Sequence, residues 1–271
     1  MKYRNDILQD LTDTSLVAAI ENNLFNLYNS FAKWTHVELH DDHDMLWSIS
    51  DIPFPLFNAI LRARLSNPKS SIEAAIARGR QRNVPLLWWT GPYSQPTDLG
   101  DDLKAFGFVS EESIGMAADL NSLPQDMTIP PGLVIERVRD TKTMEKWCRP
   151  FCIGYEWPDF VGEAFLDLSM SIGLDSQSVF RHYIGLLNGE PVATSSMFLG
   201  AGVAGIYNVA TVPKVRRQGI GANMTLHPLH EARTLGYKAS ILHSSPLGRN
   251  VYPKLGFREY CKIKQYVWPN Q

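Results

Sequence analysis

The sequence predicts an α/β protein of two layered modules, residues 1–125 and 133–271, each with a mixed sheet flanked by helices. Three observations lead to this fold class. Strand and helix patterns alternate through the second half of the 271 residues, and such an order stacks helices on a sheet. A polar segment with three prolines, residues 120–132, indicates a linker. The first half repeats the plan of the second half in a weaker form, which indicates an internal duplication.

The second half supplies the clearest elements. Residues 133–140 alternate apolar and polar side chains, as a strand does. A helix is predicted from Thr141, with Pro150 expected to interrupt or kink it. The pair Asn188-Gly189 predicts the turn of a hairpin. The other predicted elements are helices at 160–172, 222–236 and 248–255, the hairpin itself at 179–200, strands at 202–212 and 238–245, and either a strand pair or one long strand at 257–268.

The duplication is indicated by two pairs of segments. Residues 84–92 resemble residues 238–246, since each is an apolar strand that ends in a proline. Residues 103–108 and residues 252–257 each end a helix with Gly-Phe. Two unrelated α/β halves are the alternative interpretation.

The composition fits a folded protein and excludes several classes. Hydrophobic residues make up 44% of the chain and charged residues 20%, which excludes a mainly disordered protein. No apolar run reaches the ~18–20 residues of a membrane helix, and the first residues lack an apolar leader. Three cysteines are too few for a disulfide framework, and their spacing does not match a zinc site. We therefore expect a cytoplasmic protein without a membrane segment.

Charge is distributed unevenly along the chain. Residues 1–132 hold 10 Lys/Arg and 17 Asp/Glu, a net −7, whereas residues 133–271 hold 16 and 11, a net +5. Residues 212–271 alone hold 10 and 2, a net +8. A local basic field on a nearly neutral chain predicts a compact anionic ligand near the C-terminus. It does not favour general binding of nucleic acid, which a basic chain would indicate.

A basic, glycine-bearing segment follows the apolar strand at residues 202–212. We call residues 213–221, PKVRRQGIG, the glycine loop. The helix after it begins at about Ala222, so free backbone N–H groups and the helix dipole would face an anion here. Gly219 and Gly221 would let the backbone approach phosphate oxygens closely. The residues match neither a Walker A loop nor a dinucleotide-binding fingerprint.

Two motifs resemble those of the GNAT superfamily of N-acetyltransferases. The first is V-x-P-x-x-R-x-x-G-I-G, with Thr211 in the valine place, and the second is SSPLGRNVYPKLGF at residues 244–257. The motifs occur in the family's order, and the resemblance covers residues 133–271. It implies a mixed, mostly antiparallel sheet flanked by helices. The first module looks like a degenerate GNAT module, because it lacks the R-x-x-G-x-G loop.

The resemblance implies acetyl-CoA as co-substrate. Residues 216–222 would hold its pyrophosphate, and residues 209–212 would pair with the pantetheine arm as an added strand does. A backbone N–H there would polarise the acetyl carbonyl. The cofactor residues implied by the resemblance are Val209, Ala210, Thr211, Val212, Arg216, Arg217, Gln218, Gly219, Ile220, Gly221, Ala222 and Asn250.

Tyr252 falls on the tyrosine that, in this family, protonates the departing CoA thiolate. A phenol can donate that proton, although a buried structural tyrosine is the alternative interpretation. The position seven residues earlier, an asparagine in many relatives, is Ser245 here.

The group that takes a proton from the amine is not evident. The strand at 202–212 lacks a carboxylate where some relatives keep a glutamate. The candidates for substrate contact or proton transfer are Tyr155, Glu156, Asp159 and His243, although a structural or surface role is the favoured interpretation for each of them. The segment HVELHDDHD at residues 36–44 contains three histidines and three aspartates, but its spacing favours a solvated loop over a metal site.

The sequence therefore predicts transfer of an acetyl group from acetyl-CoA to the primary amine of a small molecule, by direct attack in a ternary complex. A CoA-binding sensor without transferase activity and an acyltransferase for a longer acyl group are the alternatives. We expect a monomer or homodimer, with no metal, nucleic acid or membrane as partner.

Overall fold

The computed structural model describes residues 7–124, 128–246 and 248–270. Residues 125–127 of the predicted linker and Leu247 of the second motif lie outside the described residues. The helices are α1 Asp13–Asn29, α2 Pro68–Arg82, α3 Leu99–Ala105, α4 Thr141–Tyr155, α5 Asp159–Ile172 and α6 Ile220–Thr234. The strands are β1 Val37–Asp41, β2 Met45–Ser50, β3 Ala59–Ala63, β4 Leu86–Thr90, β5 Val109–Asp119, β6 Leu133–Arg137, β7 Phe180–Leu187, β8 Glu190–Gly200, β9 Val203–Thr211, β10 Ala239–Ser244 and β11 Arg258–Trp268.

Two compact units divide the chain, and they do not follow the linear modules predicted from the sequence. The major unit contains the described residues of 1–23 and 116–260, and the minor unit contains those of 24–115 and 261–271. The difference arises because both chain ends cross the predicted boundary. The start of the chain bonds within the major unit, where Leu8 N–H donates to the Gly202 carbonyl over 3.0 Å. The end of β11 pairs with β4 in the minor unit.

The major unit holds a mixed, mostly antiparallel sheet. Strands β6, β7, β8 and β9 follow one another as antiparallel neighbours, and β10 lies parallel to β9. The end of β5 is next to β10. Asn188 and Gly189 turn β7 into β8 with φ of +53° and +85°, values that suit the predicted tight hairpin.

Helices α4 and α5 cover the sheet through an aromatic cluster. The buried Trp147 of α4 stacks on Phe165 of α5 at 5.3 Å and donates its indole N–H to the Tyr183 carbonyl over 3.0 Å. Helix α4 continues through the buried Pro150, so of the two expected effects of this proline, interruption or a kink, the interruption is wrong. Buried aromatic residues on both sides of Pro150, Trp147 and Phe151, hold the helix in place despite the missing N–H. In the same way, α6 continues through Pro228.

The minor unit repeats the strand and helix order of the major unit. Strands β1, β2 and β3 are antiparallel, and β4 lies parallel to β3 after the intervening helix α2. In the major unit, β8 and β9 are antiparallel and β10 follows α6 in the same way. The minor unit's core centres on the buried Trp88, whose ring meets Phe108 edge-on at 6.1 Å. The shared order agrees with the duplication indicated by the sequence.

Acidic side chains at the edge strand β1 pair with arginines. Glu38 forms an ion pair with Arg82, and Asp41 forms one with Arg62. Within the described ranges, no three His, Cys, Asp or Glu side chains are grouped so that they could hold a metal ion. Among the described residues, no helix is both long enough and apolar enough to cross a membrane.

One residue of α1 anchors β9 inside the major unit. The fully buried Asn23 donates its amide N–H to the Gly200 carbonyl over 2.8 Å and accepts a hydrogen bond from the Tyr207 hydroxyl over 2.8 Å. A side chain at Gly205 would overlap the Asn23 carboxamide, and its Cβ would lie 2.6 Å from the Tyr207 ring. Glycine at position 205 therefore creates the space for this hydrogen-bonded pair.

We predict that Gly205→Ala lowers the free energy of unfolding by about 1–3 kcal/mol, because the methyl group displaces Asn23 from its partners. Gly221→Ala is the control: its Cβ would lie 3.5 Å from the Thr211 hydroxyl, an ordinary contact, and alanine favours the helix. Urea unfolding of both variants measures the effect. Equal stability of Gly205→Ala and the parent protein would contradict the tight packing at this position.

Candidate functional site

Strands β9 and β10 separate halfway along their length. They pair from Ala204–Ile206 against Ser240–Leu242, and the described residues show no register between them beyond that point. Tyr207 of β9 and His243 of β10 come directly after the last paired residues, and their rings are 6.2 Å apart. On the side of β10 the last residues of β9 therefore border a cleft, while on the other side Ala210 and Thr211 still pair with β8.

A β-bulge shapes the open part of β9. Thr194 lies opposite Ala210 and Ser196 opposite Tyr207, so β9 has one residue more than β8 across this interval. Asn208 adopts a left-handed conformation there, with φ +54°. Its side-chain N–H donates to the Ser196 hydroxyl over 3.1 Å, and its carbonyl accepts from the Thr194 hydroxyl over 2.8 Å. Such a bulge turns the backbone groups of the strand away from the regular ladder.

The glycine loop leads from β9 to the N-terminus of α6. Gly219 precedes the helix with φ +80°, and no side chain caps the helix start. The first intrahelical bond runs from the Asn223 N–H to the Gly219 carbonyl over 3.1 Å. The preceding N–H groups of Ile220, Gly221 and Ala222 thus have no helical partner, as at any helix start. An uncapped start on a long helix is suited to an anion.

The side chain of Arg216 is already engaged. Its Nε donates to the Thr211 carbonyl over 3.0 Å, and an Nη donates to the Gly154 carbonyl over 2.8 Å. Arg216 thereby ties the end of α4 to the end of β9. Its guanidinium is thus a brace between these two elements, and its predicted contact with pyrophosphate stays a prediction. Arg217, Gln218 and Gly219 lie exposed in the loop.

The corresponding helix of the minor unit begins differently. Asn67 caps α2 by accepting from the Ser70 N–H over 3.3 Å. Pro68 occupies the first helical position and has no N–H to offer. This helix start is therefore capped by its own chain, in contrast to the start of α6.

Tyr252 begins the short 3-10 helix Tyr252–Leu255 beside the cleft. Its ring lies where a side chain at Gly248 would be, and it meets Phe257 edge-on at 5.9 Å. Burial raises the pKa of Tyr252 to about 12. The phenol therefore keeps its proton at neutral pH, as a proton donor must.

Tyr155 reaches the same region from the end of α4. Its hydroxyl donates to the Val209 carbonyl over 3.4 Å, and its ring stacks on Trp157 at 4.5 Å. Burial of the hydroxyl raises the pKa of Tyr155 above its ordinary value, and the neighbouring Tyr252 adds to the shift. Of the predicted residues Tyr155, Glu156 and Asp159, Tyr155 is thus the one that contacts β9.

The other predicted residues are placed less centrally. Glu156, which ends α4 in a left-handed conformation with φ +60°, and Asp159 are both exposed. Asn250 lies in an exposed turn two residues before Tyr252. His243 is at the point where β9 and β10 part, and burial lowers its pKa to about 4, against the opposing effect of a hydrogen bond with the Ile20 backbone.

Sequence reasoning missed several residues that shape this site. Gly248 leaves room for the Tyr252 ring, Asn23 orients Tyr207, and Ser196 holds Asn208. Gly248 lies within the second motif and could have been singled out there. Asn23 and Ser196 carry no local signal, because their contacts join segments far apart in the sequence.

Comparisons with known proteins agree with this arrangement. Residues 142–257 match the model of the acetyltransferase (GNAT) family. No curated protein matches the sequence.

Solved structures share the fold at low sequence identity. A GCN5-related N-acetyltransferase from Kribbella flavida superposes with a TM-score of 0.68 at 16% identity, covering 93% of this chain and 95% of that one. One from Sphaerobacter thermophilus gives 0.61 at 11% identity, covering 96% and 92%. A tandem GNAT protein from the clavulanic acid biosynthesis pathway gives 0.58 at 11% identity, covering 97% and 96%. The last comparison supports the predicted tandem arrangement.

We predict that acidification destabilises the protein through its buried imidazoles. Burial lowers the pKa of the fully buried His182 to about 3, against an ordinary value of about 6.5. The unfolded chain therefore binds a proton that the folded protein does not, and stability is lost as the pH falls below about 6.5. Between about pH 8 and about pH 5 this loss amounts to about 2 kcal/mol for His182.

Urea unfolding at both pH values measures the effect. Phenylalanine cannot titrate, so His182→Phe should lose about 2 kcal/mol less stability than the parent protein between about pH 8 and about pH 5. The same slope in both proteins would show that folding does not lower the pKa of His182.

Proposed function

Since residues 142–257 belong to the GNAT acetyltransferase family, we propose that this protein transfers an acetyl group from acetyl-CoA to the primary amine of a small molecule. The observation that carries the proposal is the open half of β9, which leads into the uncapped start of α6 and is contacted by Tyr155, the neighbour of Tyr252. Family membership supports acyl transfer from an acyl-CoA in general. The geometry of these three parts supports the more specific reaction.

The residues present fit acetyl-CoA. The N–H groups of residues 220–222 would bind the pyrophosphate at the start of α6, where the helix dipole favours negative charge. The backbone of residues 209–212 would pair with the amide groups of the pantetheine arm. Acetyl-CoA would bring an acetyl carbon activated as a thioester.

The chain's own groups would then assist transfer. A backbone N–H of the bulged strand donates to the acyl oxygen, where negative charge develops in the transition state. The amine nitrogen forms the new bond to the acyl carbon while the carbon–sulfur bond breaks. Tyr252 donates its proton to the departing sulfur, and the attacking amine gives up a proton to solvent or to a nearby base. Holding both reactants in one cleft lowers the entropic barrier.

We predict that Gly221→Glu abolishes the rise in melting temperature that acetyl-CoA causes in the parent protein. The new carboxylate places bulk and like charge at the helix start, and a ligand that cannot bind cannot stabilise the fold. Gly221→Ala, which adds one methyl group at an ordinary contact distance, should keep most of the shift. Thermal unfolding with and without acetyl-CoA is the measurement. An unchanged shift in Gly221→Glu would place the cofactor elsewhere.

We predict that Tyr252→Phe lowers kcat by about 10²–10⁴-fold, because the ring keeps its packing while the proton donor is lost. The affinity for acetyl-CoA should stay near that of the parent protein, since the hydroxyl acts in the transition state. CoA release with an acceptor found by screening amines measures the rate, and calorimetry measures binding. A parent rate in the variant, with chemistry shown to limit turnover, would make Tyr252 a packing residue. Tight binding of acetyl-CoA without transfer to any amine would favour a CoA-binding sensor.

A further inference from the structure

A buried polar chain runs from the β9 bulge into the core of the major unit. The Asn208 side-chain N–H donates to the Ser196 hydroxyl over 3.1 Å. The Ser196 hydroxyl lies 2.8 Å from Nδ1 of His182. Ser196 is fully buried and His182 is 1% exposed. The chain therefore connects the residue with the strained backbone to a histidine on β7.

One direction in this chain follows from its chemistry: the amide nitrogen of Asn208 can only donate, so the Ser196 oxygen accepts there. Burial lowers the pKa of His182 to about 3, which keeps the ring neutral. The neutral ring bonds the same hydroxyl through Nδ1, as acceptor or as donor according to its tautomer. Hydrogen bonds in series polarise one another and strengthen the chain.

The surroundings of His182 do not explain a histidine by packing. Its ring meets the rings of Trp147, Phe165 and Phe180 edge-on, at centroid distances of 5.3, 5.7 and 4.4 Å. Within the described part of the chain, Nε2 has no hydrogen-bond acceptor. Burying an imidazole among aromatic rings costs free energy that a phenylalanine would avoid. What the histidine adds is the hydrogen bond with Ser196.

We propose that His182 and Ser196 are positioning residues for acyl transfer, acting through Asn208. They hold the Asn208 side chain, and with it the left-handed turn of the bulge, so that the backbone N–H groups after it point to the acyl oxygen. The inference rests on the proposed function, because it assigns the bulge to stabilising charge in the transition state. His182 itself contacts no reactant and transfers no proton in this role.

The test compares Ser196→Ala and His182→Phe with a matched control, Ser195→Ala. Ser195 is as fully buried as Ser196, but its hydroxyl donates to the Met224 carbonyl of α6 over 2.7 Å, away from Asn208. Both test variants should lose about tenfold to 10²-fold in kcat, the loss expected when a reacting group is misplaced by up to about 1 Å. Their affinity for acetyl-CoA, measured by calorimetry, should change by less than about threefold. Ser195→Ala should keep the parent kcat.

A second variant separates positioning from stability. Glycine adopts the left-handed conformation without a side chain, so Asn208→Gly disconnects the bulge from the chain of hydrogen bonds. In that background, His182→Phe should lower kcat by less than about twofold, because the two residues act through one path. The melting temperature of every variant confirms that the folded protein is assayed.

The outcomes are distinguishable. A parent kcat in Ser196→Ala and His182→Phe, whatever their melting temperatures, would overturn the positioning role and leave the proposed function intact. The positioning role would also be overturned if His182→Phe lowered kcat by the same factor in the parent protein and in the Asn208→Gly variant. If the parent protein binds acetyl-CoA but transfers its acetyl group to no amine, the proposed function fails and this inference fails with it.

Discussion

The separation of β9 from β10 is the constraint on which the site depends. A strand that leaves its neighbour exposes backbone carbonyls that must find other donors. Three side chains from three different elements supply them: Thr194 bonds the carbonyl of Asn208, Tyr155 that of Val209, and Arg216 that of Thr211. The second half of β9 is thus held by these side chains and by its pairing with β8 at Ala210 and Thr211. Its backbone conformation is fixed from that side, while its other side, towards β10, is unpaired.

This arrangement couples the parts of the site to one another. Arg216 belongs to the glycine loop yet bonds both β9 and the last turn of α4. Gly154 lets that turn approach β9 closely, since its Cβ would lie 2.7 Å from the Ala210 methyl group. The loop, the helix end and the open strand therefore form one braced unit. Rigid support of this kind gives a site the precision that transition-state stabilisation needs.

The sequence predicted those features that local chemistry determines. The glycine loop, the Asn188-Gly189 hairpin and the order of elements in the second half all depend on residues close together in the chain. The single strand β11 and the placement of the chain ends in different units depend on long-range pairing, as between residues 264–268 and 86–90, which lie 174–182 residues apart. No local pattern encodes such pairing. The use of Arg216 as a brace was missed for a similar reason: a basic residue in an anion-binding motif gives no sign of carbonyl partners elsewhere. The sequence did not single out His182 either, because its partner Ser196 lies on another strand.

The two units illustrate how a fold and a binding site can be specified by different residues. The core of the minor unit is built from side chains such as Trp88 and Phe108, none of which lies at the start of its helix α2. At that start, Asn67 and Pro68 satisfy or remove the N–H groups that α6 leaves uncapped after Gly219. Two residues at a helix start can therefore reduce the number of free N–H donors there without disturbing the packing beneath it. A duplicated module can keep its stability while its ligand chemistry is lost, because the hydrophobic core and the N-terminal helix donors make separate demands on the sequence.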